Sequence, residues 1–127
     1  MDNNIYESIN PKHTLYCIYL KLEEDQLIKV GKLGEYFFHK GTYIYVGSAR
    51  KNMIKRIERH KKVQKKFHWH FDYLRPYGIV TKIITYDERL GECALAEKIR
   101  KKNNGMLPIK GFGSSDCRCL SHLIYIQ

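Results

Sequence analysis

The most informative part of the sequence is Gly41-Thr-Tyr-Ile-Tyr-Val-Gly-Ser-Ala49. Its first half alternates, so that Tyr43 and Tyr45 share one face of a predicted β-strand. Gly47 is expected to end this strand, because a glycine permits a positive φ or a close approach of the backbone. A strand with two tyrosines on one face therefore leads into the most basic part of the chain.

The segment that follows is predicted to be a helix with one apolar side. Ser48 or Asn52 suits its N-cap, since either side chain can accept a hydrogen bond from a first-turn N–H group. At about 100° per residue, the side chains of one stripe are Met53, Ile54, Ile57 and His60. Arg56 lies at the margin of that stripe, one turn before His60, where it would reach a cleft between helix and sheet. The alternative for Arg56 is an ordinary surface arginine.

This helix belongs to a strongly basic surface. The chain has a net charge of +10, and residues 50–66 contain nine lysines and arginines against one acid, Glu58. Phosphate backbones are the commonest partners of such a surface, whereas anionic lipid or simple solubility would explain it without a nucleic acid. The cations expected to contact a nucleic acid are Arg50, Lys51, Lys55, Arg59, Lys62 and Lys66. The aromatic residues that would stack on bases or join the core are Phe67, Trp69, Phe71 and Tyr73.

Length and composition indicate one globular domain. A chain of 127 residues suffices for a domain that buries roughly two-thirds of its unfolded surface. Residues 1–12 are expected to be an exposed lead-in, and residues 13–127 the domain itself. The sequence has no apolar run approaching the ~20 residues that cross a bilayer, and its start does not resemble a secretory signal. A cytoplasmic location without membrane association is the expectation.

Other segments have the patterns of strands, of a short helix within residues 65–74 that Pro76 and Gly78 bring to a close, and of one further long helix. Residues 15–22 alternate, so that Tyr16 and Tyr19 point to opposite faces of a first strand. The remaining strands are expected at residues 27–30, 79–86 and 122–126. A second long helix is predicted from the turn at residues 87–91 to about residue 102.

The predicted second helix carries an acid on its apolar side. Glu92 shares a face with the apolar positions three, four and seven residues later, whereas Glu97 falls on the far side. An acid on an apolar stripe needs a partner. The plain alternative is a first-turn acid favoured by the helix dipole.

Two parts of the chain resemble the signature of the GIY-YIG nuclease superfamily. Residues 45–49, followed by Arg56 and His60, are similar to its second half, in which tyrosine-hydrophobe-glycine precedes a helix that carries an arginine. Residues 14–16, Thr-Leu-Tyr, take the place of Gly-Ile-Tyr in the first half. Tyr16 is then the matched tyrosine, although the glycine before it is absent.

A longer part of the chain, from about residue 41 to residue 122, resembles an uncharacterised branch of that superfamily. The blocks that carry this resemblance are Gly41-Thr-Tyr-Ile-Tyr-Val-Gly-Ser-Ala49, Trp69-His-Phe-Asp-Tyr-Leu74 and Phe112-Gly-Ser-Ser-Asp-Cys117. The resemblance implies an α+β fold, in which a small, mainly antiparallel β-sheet is flanked by helices.

The resemblance also implies a function, namely that of a divalent-metal-dependent endonuclease acting on DNA in repair or recombination, with RNA as a possible substrate. Glu92 would bind one Mg²⁺ or Mn²⁺, and Glu97 is the alternative ligand from a competing alignment. Arg56 would bind the phosphate in the transition state. A tyrosine is a poor base at neutral pH, so a lowered pKa is expected at Tyr45, close to Arg56 and the metal. Tyr16 or a histidine is the alternative group for positioning the water.

The histidines in question are His60 on the basic helix and the pair around Trp69. His68 matches a catalytic histidine of the phage homing endonucleases, whereas the uncharacterised branch has its histidine at the position of His70. These two alignments disagree, and both residues stay candidates beside His60. An imidazole at any of these positions could donate to a phosphate or handle a proton.

Four cysteines in a chain without a visible signal peptide are expected to be free thiols. Zinc binding is the alternative to plain packing for one cluster, which comprises Cys93, Cys117, Cys119 and His122.

Two other classes of function are alternatives to the nuclease. One is a nucleic-acid-binding module without catalysis, and the other is a zinc-stabilised interaction domain.

Overall fold

The structure is a computed structural model that describes residues 5–87, 89, 91–114 and 119–127. Its strands are β1 (Tyr6–Ser8), β2 (Leu15–Leu22), β3 (Gln26–Val30), β4 (Gly34–Phe38), β5 (Gly41–Ser48), β6 (Ile79–Tyr86) and β7 (Leu123–Ile126). Its helices are α1 (Met53–Lys61), α2 (His70–Leu74) and α3 (Glu92–Asn103). Single 3₁₀ turns lie at Gly31–Leu33 and Arg75–Tyr77.

Five of the strands form one mixed sheet in the order β1-β6-β2-β5-β7. The pairings of β2 with β5, β2 with β6 and β5 with β7 are antiparallel, and β1 pairs with β6 in parallel. β3 and β4 form a separate antiparallel hairpin. The predicted α+β class, with a mainly antiparallel sheet and flanking helices, is confirmed.

Alternation along β2 divides the core between the two faces of the sheet. Tyr16 and the even-numbered residues of β2 pack in one cluster with buried side chains of α1 and α2. Leu15 and Cys17 pack in the other cluster with Leu95, Ala96 and Ile99 of α3. The helices α1 and α3 therefore cover opposite faces, and the prediction that Tyr16 and Tyr19 point to opposite faces is confirmed.

Two strands were not predicted from the sequence. Tyr6–Ser8 forms the edge strand β1 inside the expected lead-in, and all three of its residues are exposed. Strand β4 follows the short strand predicted at residues 27–30, where no further strand was expected. Both strands depend on a partner for their hydrogen bonds, β6 for β1 and β3 for β4.

The helix α1 is shorter than the basic segment. It ends at Lys61, so residues 62–69 are an irregular connection to α2. Met53, Ile57 and His60 are buried as predicted, but Ile54 is exposed. Asn52 occupies the N-cap position in the left-handed region, with φ 57°, and its side chain makes no capping hydrogen bond.

Gly47 lies inside β5 and does not end it. It pairs across the sheet with Tyr16, and a Cβ atom at this position would overlap the Tyr16 ring and hydroxyl. The expected close backbone approach is therefore found, but the expected end of the strand is wrong. The glycine is needed because it leaves room for the tyrosine.

Among the described residues, none of the helices combines the length and the apolar content that crossing a bilayer requires.

Gly47→Ala should lower the free energy of unfolding by about 1–3 kcal/mol, because the added methyl group overpacks the space beside Tyr16. Chemical denaturation of the variant and the wild-type protein measures this difference. Equal stabilities would show that Tyr16 is not held against the β5 backbone.

Candidate active site

A hydrogen bond between Tyr16 and His60 lies at the centre of the site. The Tyr16 hydroxyl on β2 is 2.8 Å from Nε2 of His60 in the last turn of α1, and both side chains are buried. The imidazole is enclosed by the rings of Tyr45, Trp69 and Phe71, at centroid distances of 5.7, 5.4 and 5.5 Å. This contact joins the central strand to the basic helix.

Burial keeps both partners of that hydrogen bond uncharged. It lowers the pKa of His60 to about 3, helped by the positive charge of Lys65 and opposed by Asp72. It also raises the pKa of Tyr16 to about 12, although the guanidinium of Arg56 opposes the rise. A neutral imidazole therefore faces a neutral phenol at neutral pH.

The ring of Tyr45 stacks on Phe71 at 5.1 Å and lies 6.4 Å from the ring of Tyr16. Burial raises the pKa of Tyr45 well above its ordinary value, and the neighbouring Tyr16 and Glu92 add to the rise. Arg56 alone therefore does not produce the lowered pKa expected at Tyr45, because it only partly opposes the effect of burial. A bound cation would act in the same direction as Arg56.

Arg56 extends from α1 to the sheet, as its place on the helix predicted. It is half-buried, and its Nη1 donates a 2.6 Å hydrogen bond to the carbonyl oxygen of Ser48 at the end of β5. Its guanidinium carbon lies 4.5 Å from the centre of the Trp69 ring. These contacts fix the cation beside Tyr16, where its charge acts on the phenol.

Glu92 begins α3 on the other face of the sheet, yet its charge acts on this site. The carboxylate contributes to the raised pKa values of both Tyr16 and Tyr45. Glu97 instead accepts a 2.9 Å hydrogen bond from Nε of Arg100 and lies 4.0 Å from Nζ of Lys101. The acid associated with the tyrosines is therefore Glu92.

Asp72 organises the loop between α1 and α2, and the sequence analysis missed it. Its buried carboxylate accepts hydrogen bonds from both terminal nitrogens of Arg59, at 3.1 and 3.0 Å. It also accepts hydrogen bonds from the backbone N–H groups of His68 and Trp69, at 2.7 and 2.9 Å. Nζ of Lys65 lies 3.3 Å away, and Nδ1 of His60 lies 4.0 Å away.

These partners keep the carboxyl group of Asp72 ionised. Burial alone would raise its pKa, but the hydrogen bonds from Arg59, Trp69 and His68 outweigh burial and lower the pKa to about 2. The available sequence signal was an acid three residues after the N-cap position of α2, where a carboxylate can bond the N-cap backbone N–H.

His68 and His70 lie at the edges of the site. His68 is exposed, and its ring meets Trp69 edge-on at 4.4 Å. Nδ1 of His70 accepts a 2.8 Å hydrogen bond from the backbone N–H of Gly113. Burial lowers the pKa of His70. The structure thus brings His60 against both tyrosines, whereas the recorded contacts of His68 and His70 lie elsewhere.

Five of the six cations assigned to a nucleic-acid surface are exposed, namely Arg50, Lys51, Lys55, Lys62 and Lys66. Arg59 differs from them. Its guanidinium bonds Asp72 and the carbonyl oxygen of Lys66, and lies 4.6 Å from the centre of the Trp69 ring. Its hydrogen-bonding capacity is largely used inside the protein, which makes it a poor phosphate ligand.

The expectation of free thiols is wrong for two of the cysteines. Cys93 and Cys119 form a disulfide between the first turn of α3 and the segment before β7. Cys17 is a free, buried thiol whose pKa burial raises to about 12. Cys117 lies outside the described residues.

Comparison with known proteins gives one family. A family model described as Domain of unknown function DUF123 matches residues 15–127, which include every described strand and helix except β1. No curated protein and no solved structure matches the chain.

Stability should depend on pH through His60. An unfolded imidazole titrates near pH 6.5 and the folded one near pH 3, so the unfolded chain binds more protons between these values. The contribution of His60 is therefore complete above about pH 6.5 and is lost as the pH falls. Between pH 7 and pH 5 the loss amounts to about 2 kcal/mol. Denaturation at both pH values should show a smaller loss for His60→Gln; an identical loss would contradict the neutral buried imidazole.

Asp72→Asn should lower the free energy of unfolding by roughly 3 kcal/mol, since it leaves Arg59 and Lys65 without their counter-charge. Glu58→Gln is the matched control on α1, because the carboxylate of Glu58 is exposed and pairs with Lys61. The control should change stability by less than about 1 kcal/mol. Equal effects of the two variants in urea denaturation would refute the organising role of Asp72.

Proposed function

This chain belongs to the family described as Domain of unknown function DUF123, and we propose that it is an endonuclease of the GIY-YIG type. It would hydrolyse phosphodiester bonds in DNA with the help of a divalent cation. The observation that carries the proposal is the association of two buried tyrosines with Arg56 and Glu92, from three separate parts of the chain. These are the residue types and positions that the sequence resemblance assigns to the site.

Glu92 is the residue that would hold Mg²⁺ or Mn²⁺. A carboxylate is the hard oxygen ligand that these ions prefer, and this one lies close enough to both tyrosines to affect their pKa values. When bound, the ion would polarise a phosphate oxygen and shield the negative charge that develops on it.

Arg56 is suited to bind the scissile phosphate. Both Arg56 and Glu92 are half-exposed, whereas Tyr16 and Tyr45 are only 1% and 4% exposed. The substrate would therefore meet the cation and the acid before it meets the phenols. The hydrogen bond to Ser48 and the contact with Trp69 hold the guanidinium in place before the phosphate arrives, which reduces the entropy cost of binding.

The Tyr16–His60 pair offers a destination for the proton of the attacking water. A phenol with a pKa of about 12 stays protonated at neutral pH, so it cannot take up the proton of water unless it gives up its own. In the proposed transfer, the water passes its proton to the Tyr16 oxygen while the Tyr16 proton moves to Nε2 of His60. The carboxylate of Asp72, 4.0 Å from Nδ1, favours the imidazolium that results. Burial still lowers the pKa of His60 to about 3, so the imidazole would hold this proton only transiently.

The exposed cations around α1 support a nucleic acid as the substrate. Arg50 and Lys51 lie just before α1, and Lys55 lies one residue before Arg56. Contacts from these side chains to the phosphate backbone would place the scissile bond near Arg56 and would make binding strongly salt-dependent. DNA is the proposed substrate, and RNA is the alternative.

The binding module without catalysis is the second candidate. The near-complete burial of both tyrosines favours it, because a phenol that water does not reach cannot assist hydrolysis. A module of this kind would bind DNA with the same dependence on salt but would leave it intact.

Cleavage assays on branched, nicked, single-stranded and RNA substrates, each with Mg²⁺ or Mn²⁺, test the proposal. The wild-type protein should cut DNA, whereas Arg56→Ala and Glu92→Gln should each reduce the rate at least ~100-fold, as removal of one transition-state ligand does. Glu97→Gln is the matched control on the same helix, because its carboxylate pairs with Arg100 on the exposed side.

Circular dichroism should show that all three variants are folded. Loss of cutting in Glu97→Gln, with normal cutting in Glu92→Gln, would move the metal to the second acid. Salt-dependent binding without cleavage of any substrate would replace the nuclease by the binding module.

A further inference from the structure

Two sulfur atoms and one imidazole nitrogen meet at a second place in the fold. Cys93 lies in the first turn of α3, and Cys119 and His122 lie in the segment before β7. The possible ligand atoms of these three residues all lie within 4.8 Å of one another. His122 is only 1% exposed, and its Nε2 is 3.6 Å from the sulfur of Cys93.

The geometry points to a zinc site formed by Cys93, Cys119 and His122 in the reduced protein. Thiolate sulfur and imidazole nitrogen are the ligands that zinc prefers, at about 2.3 and 2.0–2.1 Å. Tetrahedral angles then place the sulfur and the nitrogen about 3.5 Å apart. The 3.6 Å between Cys93 and His122 is close to that separation, so these two ligands need little movement.

The disulfide between Cys93 and Cys119 is the metal-free, oxidised form of the same pair. Its reduction by a phosphine adds two electrons and two protons and yields two thiols, while the phosphine is oxidised to its oxide with an oxygen atom from water. Each thiol then releases its proton when its sulfur binds zinc. The Cα atoms are 5.6 Å apart, so side-chain rotation can bring the sulfurs to the ~3.8 Å that two thiolates on one zinc require.

The three side chains connect parts of the fold that are remote in sequence. Cys93 follows Glu92 directly, and the carbonyl oxygen of His122 accepts a 2.9 Å hydrogen bond from the backbone N–H of Val46 on β5. Zinc would therefore hold the first turn of α3 against the strand that carries Tyr45. The ion would stabilise the fold, and its binding does not depend on the proposed nuclease activity.

This inference changes the interpretation of the cysteines. The sequence favoured plain packing for them, because their spacing matches no common zinc finger. The structure brings together three donors that the spacing alone leaves unconnected. Three protein ligands leave the fourth tetrahedral position to a water molecule or to one further ligand.

Cobalt(II) binding to the phosphine-reduced, metal-free protein tests this directly. The wild-type protein should bind one equivalent and develop the thiolate-to-cobalt charge-transfer absorption of a tetrahedral site, and one equivalent of Zn²⁺ should abolish that absorption. Zinc should also raise the melting temperature, and a chelator should reverse the rise. Mg²⁺ or Mn²⁺ at Glu92 would give no such absorption, so the readout is separate from cleavage.

Cys93→Ser and His122→Gln should each weaken cobalt binding at least ~10-fold. The matched control is Cys17→Ser, which removes a buried thiol outside the cluster and should bind cobalt as the wild-type protein does. Reduced wild-type protein that stays folded but binds no cobalt or zinc at micromolar concentration would overturn the proposal. So would equal binding by the wild-type protein and Cys93→Ser.

Discussion

One buried carboxylate holds the basic side of this molecule together. The Asp72 carboxylate accepts hydrogen bonds from the Arg59 guanidinium and from the backbone N–H groups of His68 and Trp69. It also forms an ion pair with Lys65. Nζ of Lys65 in turn donates to the carbonyl oxygens of Arg59 and His60, which belong to the last turn of α1. The end of the basic helix and the start of α2 are thereby fixed to each other around a single negative charge.

The contacts of Asp72 determine the positions of the side chains in the candidate site. Because Asp72 fixes the backbone at Trp69, the indole ring lies against both Arg56 and His60. His60 is then directed at the Tyr16 hydroxyl, and the absence of a side chain at Gly47 lets the Tyr16 ring pack on β5. A dry environment around these groups raises the pKa values of the phenols and lowers that of the imidazole, which sets the proton chemistry available to the site.

The sequence predicts those features of the fold that follow from local periodicity. Strand β6 was found from its β-branched residues, whereas β2 and the apolar face of α3 were found because their side chains repeat with periods of two and 3.6 residues. The same periodicity separates Glu92 from Glu97. It does not reveal β1, whose three residues are all exposed and which is held by its pairing with β6.

Features that depend on contacts between distant residues were missed for the same reason. Arg59 looked like a solvent-exposed cation because helical position carries no information about Asp72, 13 residues later. Gly47 was expected to end the strand. The residue that requires a glycine there, Tyr16, lies on the neighbouring strand, so the local sequence does not show this requirement. The approach of Cys93 to Cys119 and His122 likewise joins α3 to the segment before β7.

The proposed nuclease requires Glu92 to hold a divalent cation beside Tyr16, Tyr45 and Arg56. Anomalous diffraction from crystals soaked in Mn²⁺ measures the position of such an ion without any assumption about the substrate. If Glu92 binds the ion, a peak is expected at about 2.2 Å from a carboxylate oxygen of Glu92, on the side of the two tyrosines. A peak at Glu97, or no peak at Glu92 when that carboxylate is accessible in the crystal, would contradict it.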